Sequence, residues 1–209
     1  MLRVKNFSFN SKSLNQNLKK TKKVFELFRR DFRDFNIPLL KSYNKSYKLD
    51  FSPALIKKFS KYDNIIIFGM GGSILATKCI YTFFKKKIKK KVFFFDNLDS
   101  NLNVKFKKIK NIKNSCFVVI SKSGDTLETI VNLNVSYSKK LLKNKLVVIT
   151  ETKDSSLMDI ANRFKAEIIE HKDFIVGRYS VFSESGMFPA ALMGLNIKQF
   201  KDIQRLLKS

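Results

Sequence analysis

The residues best suited to chemistry in this 209-residue chain fall in two short loops and one later segment. The stretch Ser121-Lys122-Ser123-Gly124-Asp125-Thr126-Leu127-Glu128-Thr129 places hydroxyls at 121, 123 and 126 around a glycine, with a lysine alongside. Hydroxyls and free backbone amides at the start of a helix form a nest that holds a terminal phosphate without a metal. A helix N-cap would need one hydroxyl, and three together with Gly124 exceed that need. The earlier stretch Gly69-Met70-Gly71-Gly72-Ser73 lets the backbone turn tightly and approach a ligand, again just before a helical pattern. It is neither a dinucleotide fingerprint nor a Walker loop: Ile74 occupies the third-glycine position of GxGxxG, and no Gly-Lys-Ser/Thr follows. Asp96 reads as a capping or turn residue rather than a ribose-binding acid. The late segment Gly177-Arg178-Tyr179-Ser180-Val181 adds one arginine cation.

Loops of this kind act only if a scaffold brings them together. Five short apolar runs, at residues 64–68, 92–95, 116–120, 146–150 and 167–169, are continuous rather than alternating, as strands covered on both faces are. Helical periodicity fills the gaps at 74–84, 102–109, 126–137 and 157–164, and Pro53 opens a short helix through Phe59. Strand–helix–strand repetition with right-handed crossovers predicts an α/β fold, a five-stranded doubly wound parallel sheet in the flavodoxin-like order 2-1-3-4-5. In that order the first and third strands flank the switch point, so Ser73 and residues 121–126 should face one pocket. Residues 1–50 read as a helical appendage, in which Val24, Phe25, Leu27, Phe28, Phe32 and Phe35 form an amphipathic stripe for packing that Pro38 stops. Residues 41–48 read as polar and irregular. Residues 51–172 read as the sheet domain. Residues 173–209 read as an incomplete extension with helices over 181–193 and 197–207. The lysine clusters at 85–91 and 105–113 read as solvated connections.

Hydrophobic residues make up 44% of the chain, enough for a core, and no run reaches the roughly 18–20 apolar residues of a membrane helix. The start lacks the apolar region of a secretory signal. Cys79 and Cys116 have no CxxC or Cys/His partner. A reduced, cytoplasmic, metal-free protein is the expectation. The formal net charge of +25 raises nucleic acid as a partner. However, the lysines are spread through the whole chain beside 21 Phe, no Trp and much Asn and Ile, the bias of an A+T-rich genome. The same field would steer an anionic small substrate.

At these residues the chain resembles a known family. Residues 69–73 and 121–129 resemble the two phosphate loops of sugar isomerase (SIS) domains. Residues 177–181, followed by 186–192, resemble the Gly-Gly-Arg-Tyr-Ser signature of phosphoglucose isomerases, with Val176 where the family has the first of its two glycines. The resemblance implies the aldose–ketose isomerisation of glucose 6-phosphate and fructose 6-phosphate, a step of glycolysis and gluconeogenesis, by ring opening and proton transfer between C2 and C1 through a cis-enediolate. It implies a phosphate grip from Gly71, Gly72, Ser73, Ser121, Lys122, Ser123 and Thr126. Arg178 would be the cation beside the enediolate. It implies no cofactor, no metal and no membrane, and a homodimer for the complete protein. The family's glutamate base, ring-opening histidine and late lysine lie downstream of the Arg-Tyr-Ser segment, whereas this sequence ends 31 residues after Arg178. The N-terminal half alone is therefore the expectation, without base or ring-opening group. Glu128 belongs to the phosphate loop, Glu184 stands where the family places no base, and His171 reads as a surface or strand-end residue. A non-catalytic phosphosugar-binding module and a basic nucleic-acid binder stand as the alternatives.

Overall fold

A computed structural model describes residues 11–34, 36–44, 46–138 and 141–200, and the chain divides into two compact units, Met1–Lys41 and Ser42–Ser209. The first unit carries helix α1 (Ser11–Asp34), which begins well before the apolar stripe because no glycine or proline interrupts residues 11–34. Of that stripe, marked for packing by its periodicity, Val24, Leu27, Phe25 at 57% and Phe28 at 45% are exposed, and Phe32 is half-buried. Phe35 lies outside the described residues.

In the second unit, five strands form one parallel sheet: β1 (Asn64–Gly69), β2 (Lys91–Phe95), β3 (Ser115–Ile120), β4 (Leu146–Thr150) and β5 (Glu167–Glu170). Their order is β2-β1-β3-β4-β5, the order expected of the sequence. Ile65 pairs with Val92 on one side and Cys116 on the other, and Val118 pairs with Val147. Successive side chains along a strand point to opposite faces, so each apolar run feeds two cores. Ile66, Phe68, Phe117, Val119 and Val148 meet Leu102 and Phe106 of α4 (Leu102–Lys107), Leu133 of α5 (Leu127–Ser138) and Leu157 of α6 (Ser156–Arg163). Ile65, Ile67, Val118, Ile120 and Ile149 meet Phe59 of α2 (Pro53–Ser60), Ile74 of α3 (Gly72–Phe84) and Phe188 and Leu192 of α7 (Glu184–Leu192). Both faces are covered over β1, β3 and β4, which is why these strands read as unbroken apolar runs, while the edge strands β2 and β5 are only partly buried.

Residues 42–50, which the sequence assigns to the appendage, make their contacts in this second unit. The Tyr43 ring meets Phe182 edge-on at 5.0 Å. The Tyr47 hydroxyl donates to the Glu184 carboxylate at 2.9 Å, and the Asp50 N–H donates to the same carboxylate at 3.1 Å. The clusters read as solvated lysines are partly structural. Lys91 opens β2, and Lys105 and Lys107 lie in α4. Lys90 donates to the carbonyls of Ser60 and Tyr62. A short helix α8 (Ile197–Phe200) follows α7, and residues 201–207 of the expected last helix lie outside the described residues.

Helix α7 carries Pro189 in its interior, where the ring removes the N–H that would meet the carbonyl four residues back. That carbonyl, of Ser185, accepts instead from the Thr77 hydroxyl of α3 at 2.8 Å. Gly186 lets α7 close on the preceding turn, since a Cβ there would lie 2.0 Å from the Val181 carbonyl oxygen. The α3–α7 pair is thus held by a hydrogen bond that the proline makes available. Thr77→Val strands a buried carbonyl and should cost about 1–3 kcal/mol. A fall in the urea midpoint at unchanged m-value is the expected result, and an unmoved midpoint would show that the carbonyl finds another donor.

Candidate active site

Open parallel sheets bind ligands beyond the carboxyl ends of their strands, at the point where strand order reverses. Here that point lies between β1 and β3. The two strands run so close at their ends that a Cβ on Gly69 would lie 2.9 Å from the Ile120 carbonyl oxygen. Gly71, at φ +52°, turns the chain into α3, and its carbonyl accepts from the Ile74 and Leu75 N–H groups at 3.2 and 3.3 Å. The first turn of α3 then presents Ser73.

After β3, the hydroxyls divide their work. Ser121 is buried, its hydroxyl 3.0 Å from Thr126 Oγ1 and accepting the Gly124 N–H at 3.2 Å. It shapes the loop from behind. Ser123 Oγ accepts the Asp125 N–H at 3.3 Å and remains exposed. Gly124, at φ +77°, cannot be replaced cheaply: a Cβ there would sit 2.1 Å from Ser155 Oγ. The Gly124 carbonyl accepts the Leu157 N–H at 3.0 Å, and the Asp125 carboxylate accepts the Ser156 N–H at 2.9 Å. That last bond holds the Asp125 carboxyl below its ordinary range. The loop after β3 is therefore fastened to the start of α6.

The third segment arrives through backbone contact. Gly177–Tyr179 forms a 3-10 turn, closed by the Ser180 hydroxyl donating to the Gly177 carbonyl at 2.6 Å. A Cβ on Gly72 would lie 2.8 Å from the Arg178 nitrogen, and one on Gly177 would lie 3.1 Å from the Gly72 carbonyl carbon. Two glycines allow the turn to rest on the N-terminus of α3. Arg178 is thereby set beside Ser73.

These loops enclose one cavity of about 580 Å³, lined by Gly72, Ser73, Lys122, Ser123, Thr126 and Arg178, together with Leu75, Val176, Gly177, Glu151 and Lys153. Six of the eight residues expected at the site thus line one space. Gly71, which is exposed, and Ser121, which is buried, fall outside that lining. Glu151 and Lys153 were not expected. They follow β4, the strand beside β3, and the strand-end rule that located the other loops would have pointed to them as well. Glu151 Oε2 lies 2.6 Å from Lys153 Nζ, and Oε1 lies 3.5 Å from Lys122 Nζ. The Lys153 hydrogen bond, the largest influence, holds the Glu151 carboxyl below its ordinary range.

The remaining acid and base candidates lie elsewhere. Glu184 is buried and engaged by Tyr47 and the Asp50 N–H, and desolvation pushes its carboxyl up. Glu128 is half-buried on α5 and outside the cavity lining. His171 stands at the end of β5 and is 1% exposed, so of its two expected settings the strand end holds and the surface does not. Burial pushes its imidazole below the ordinary value. Its position follows from its N–H donating to the Thr150 carbonyl at 2.8 Å, which carries it inward past the last ladder pair. Among the described residues, no group of three or more His, Cys, Asp or Glu side chains could hold a metal ion. Nor is any helix among them long and apolar enough to cross a membrane.

The arrangement has known relatives. Over 147 residues the chain is 34% identical to the glucose-6-phosphate isomerase of Methanocaldococcus jannaschii, a match covering 68% of this chain and 36% of that protein. The chain thus spans about a third of the length of the curated relatives it matches. The solved glucose-6-phosphate isomerase of Chlamydia trachomatis superimposes with a TM-score of 0.60 at 27% identity, over 71% of this chain and 29% of that one. A Thermus thermophilus protein of hypothetical status shares the fold, with a TM-score of 0.70 at 19% identity over 93% of this chain and 50% of that one. The phosphoglucose isomerase family model matches residues 56–209, which takes in the sheet, the loops after β1 and β3 and the Arg178 turn. The chain belongs to the phosphoglucose isomerase family.

Proposed function

We propose that this chain provides the phosphate-gripping half of a glucose-6-phosphate isomerase site. The carrying observation is the convergence of Ser73, Ser123, Thr126, Lys122 and Arg178 on one cavity. Hydroxyls and the N-terminal amides of α3 and α5 would take the phosphate of an aldose or ketose 6-phosphate, where aligned helix N-termini favour an anion. Arg178 would stand over C1 and C2, where a guanidinium stabilises negative charge developing on an enediolate oxygen. The grip works on both substrate and product, since each carries the same terminal phosphate. Isomerisation further needs a base for the C2 proton and an acid to open the ring. Glu151, the acidic side chain in the cavity wall, is bound to Lys153 and its carboxyl is held below the ordinary range, so it accepts a proton poorly near pH 7. The resemblance assigns base and ring opener to segments downstream of the Arg178 turn. The same cavity supports a second reading, a phosphosugar-binding module without catalysis, because its described wall offers no free carboxylate or imidazole.

Titration calorimetry tests the grip. Glucose 6-phosphate should bind and glucose should not, with inorganic phosphate competing, and equal binding of both sugars would remove the phosphate assignment. Ser123→Ala combined with Thr126→Ala should weaken that binding strongly at unchanged circular dichroism, as each hydrogen bond to a charged phosphate is worth about 1.5–3 kcal/mol. Undiminished affinity would leave the two hydroxyls as loop and cap groups only. A polypeptide of these 209 residues should give no fructose 6-phosphate above background in a coupled assay, since lack of a general base alone typically costs about 10²–10⁴ in rate. Robust turnover would mean that Glu151, Glu184 or His171 acts as an acid or base after all. Addition of a family member's complementary segment carrying the glutamate and histidine separates the two readings: restored turnover, lost again with Arg178→Ala, supports the isomerase.

A further inference from the structure

The cavity wall after β4 holds an ion triad that phosphate binding does not by itself require. Glu151 is the one carboxylate among the lining residues, against the cations of Lys122, Lys153 and Arg178. Its backbone is fixed by its N–H donating to the Lys122 carbonyl at 3.2 Å, and the Lys153 N–H donates to the Glu151 carbonyl at 2.9 Å. Its side chain is 17% exposed and divides its oxygens between Lys153, at 2.6 Å, and Lys122, at 3.5 Å. Lys122 Nζ is also spoken for by the Asp173 carbonyl, at 2.6 Å. The lysine within the loop after β3 is thus restrained from two sides, while Lys153 is 52% exposed.

A carboxylate beside a phosphate seat has an electrostatic cost: it repels the dianion that the surrounding hydroxyls attract. With Glu151 ionised the cavity side chains sum to +2, and without it to +3 (three cations less one carboxylate). On a chain of net charge +25, every anion in solution is drawn to the surface. A site of +3 in that field would fill with any dianion, whether or not it could form the hydrogen bonds offered by Ser73, Ser123 and Thr126. A site of +2 leaves a larger share of the binding energy to those hydroxyls, which only a tetrahedral oxyanion of the right size can use.

We propose that Glu151, through its ion pairs with Lys122 and Lys153, determines specificity in this site by lowering its general attraction for anions and positioning both lysines at its mouth. The proposal rests on the phosphate-grip reading above. Lys153 is then a second phosphate-side cation, released toward the ligand as the dianion competes for it with Glu151.

The test is calorimetric titration of the full 209-residue chain with inorganic phosphate and with sulfate at pH 8, at low and at about 0.5 M salt. Glu151→Gln should tighten both dianions about tenfold at low salt, the scale of one unit charge acting on a dianion some 6 Å away in water. High salt should remove most of that gain by screening. Glu151→Asp should return affinity to near the parent value, which a merely structural role for the side chain would not require. Lys153→Met, on an exposed side chain whose loss does not threaten the fold, should weaken both dianions about threefold or more. Unchanged or weaker binding in Glu151→Gln, or parent-like binding in Lys153→Met, overturns the proposal. If the parent chain binds glucose 6-phosphate while the variants fail in that way, the phosphate grip stands and only the role of Glu151 falls. If the parent chain binds neither inorganic phosphate nor glucose 6-phosphate, the phosphate grip itself falls and this proposal with it.

Discussion

The contact on which the rest of the site depends is the seating of the Gly177 backbone on the Gly72 backbone. Neither residue tolerates a Cβ there without displacing main-chain atoms: one at Gly72 would fall 2.8 Å from the Arg178 nitrogen. This contact joins the loop after β1 to a turn more than a hundred residues later, and it sets the one arginine among the described residues lining the cavity. It holds because α7 is pinned to α3 from below, through Thr77 and the Ser185 carbonyl that Pro189 leaves without its helical donor. Phe188 and Leu192 of the same helix fill the core under β1, β3 and β4. Packing on one face of the sheet thus fixes the position of a cation at its edge. A substitution in α7 would disturb Arg178 without touching the cavity.

The other half of the site is fixed from the opposite face of the sheet. The loop after β3 is tied to α6 through Gly124 and Asp125, and Leu157 of α6 sits in the core with Phe117 and Val119. The two faces meet only at the strand ends, so the cavity is where two independently packed layers come into register. That division explains the split between buried and exposed hydroxyls. Ser121 is buried and bonded within the loop, to Gly124 and Thr126, while Ser123 and Ser73 line the cavity.

Much of this was legible in the sequence because burial on both faces makes strands into unbroken apolar runs. β1, β3 and β4 were recognisable for that reason, β2 and β5 by apolar runs that are only partly buried, and the order followed from the connection rules. Six of the eight expected residues line one cavity because glycine and clustered hydroxyls are conspicuous after such runs. Glu151 and Lys153 were passed over because Glu151-Thr152-Lys153 is an ordinary polar turn in sequence, although its place after β4, beside β3 in the expected strand order, marks it as a wall of the site. His171 was misplaced in part because a lone histidine at a strand end carries no sign of whether the chain then turns in or out. Tyr47 and Asp50 were missed for a related reason: their partner, Glu184, lies 137 and 134 residues away in the chain. Local composition there is polar and irregular, and polarity alone cannot distinguish a solvated linker from a strap hydrogen-bonded to a buried carboxylate.

That buried carboxylate bears on how the chemistry is divided. Glu184 opens α7 only a few residues beyond Arg178, and a glutamate so placed would be the natural choice for a base if it faced the cavity. Instead its two oxygens are occupied by Tyr47 and the Asp50 amide. Desolvation raises its proton affinity, which is the right direction for a base at neutral pH, but the group is 1% exposed and outside the cavity lining. Glu151 has the opposite defect: it reaches the cavity, but its lysine partners hold its proton affinity down. Proton abstraction needs both properties in one group, access to the reacting carbon and a proton affinity near that of the medium. Among the described residues these two properties fall on different groups, Glu184 and Glu151, so the cavity wall presents the Arg178 cation and the hydroxyls of Ser73, Ser123 and Thr126 without a carboxylate that combines them.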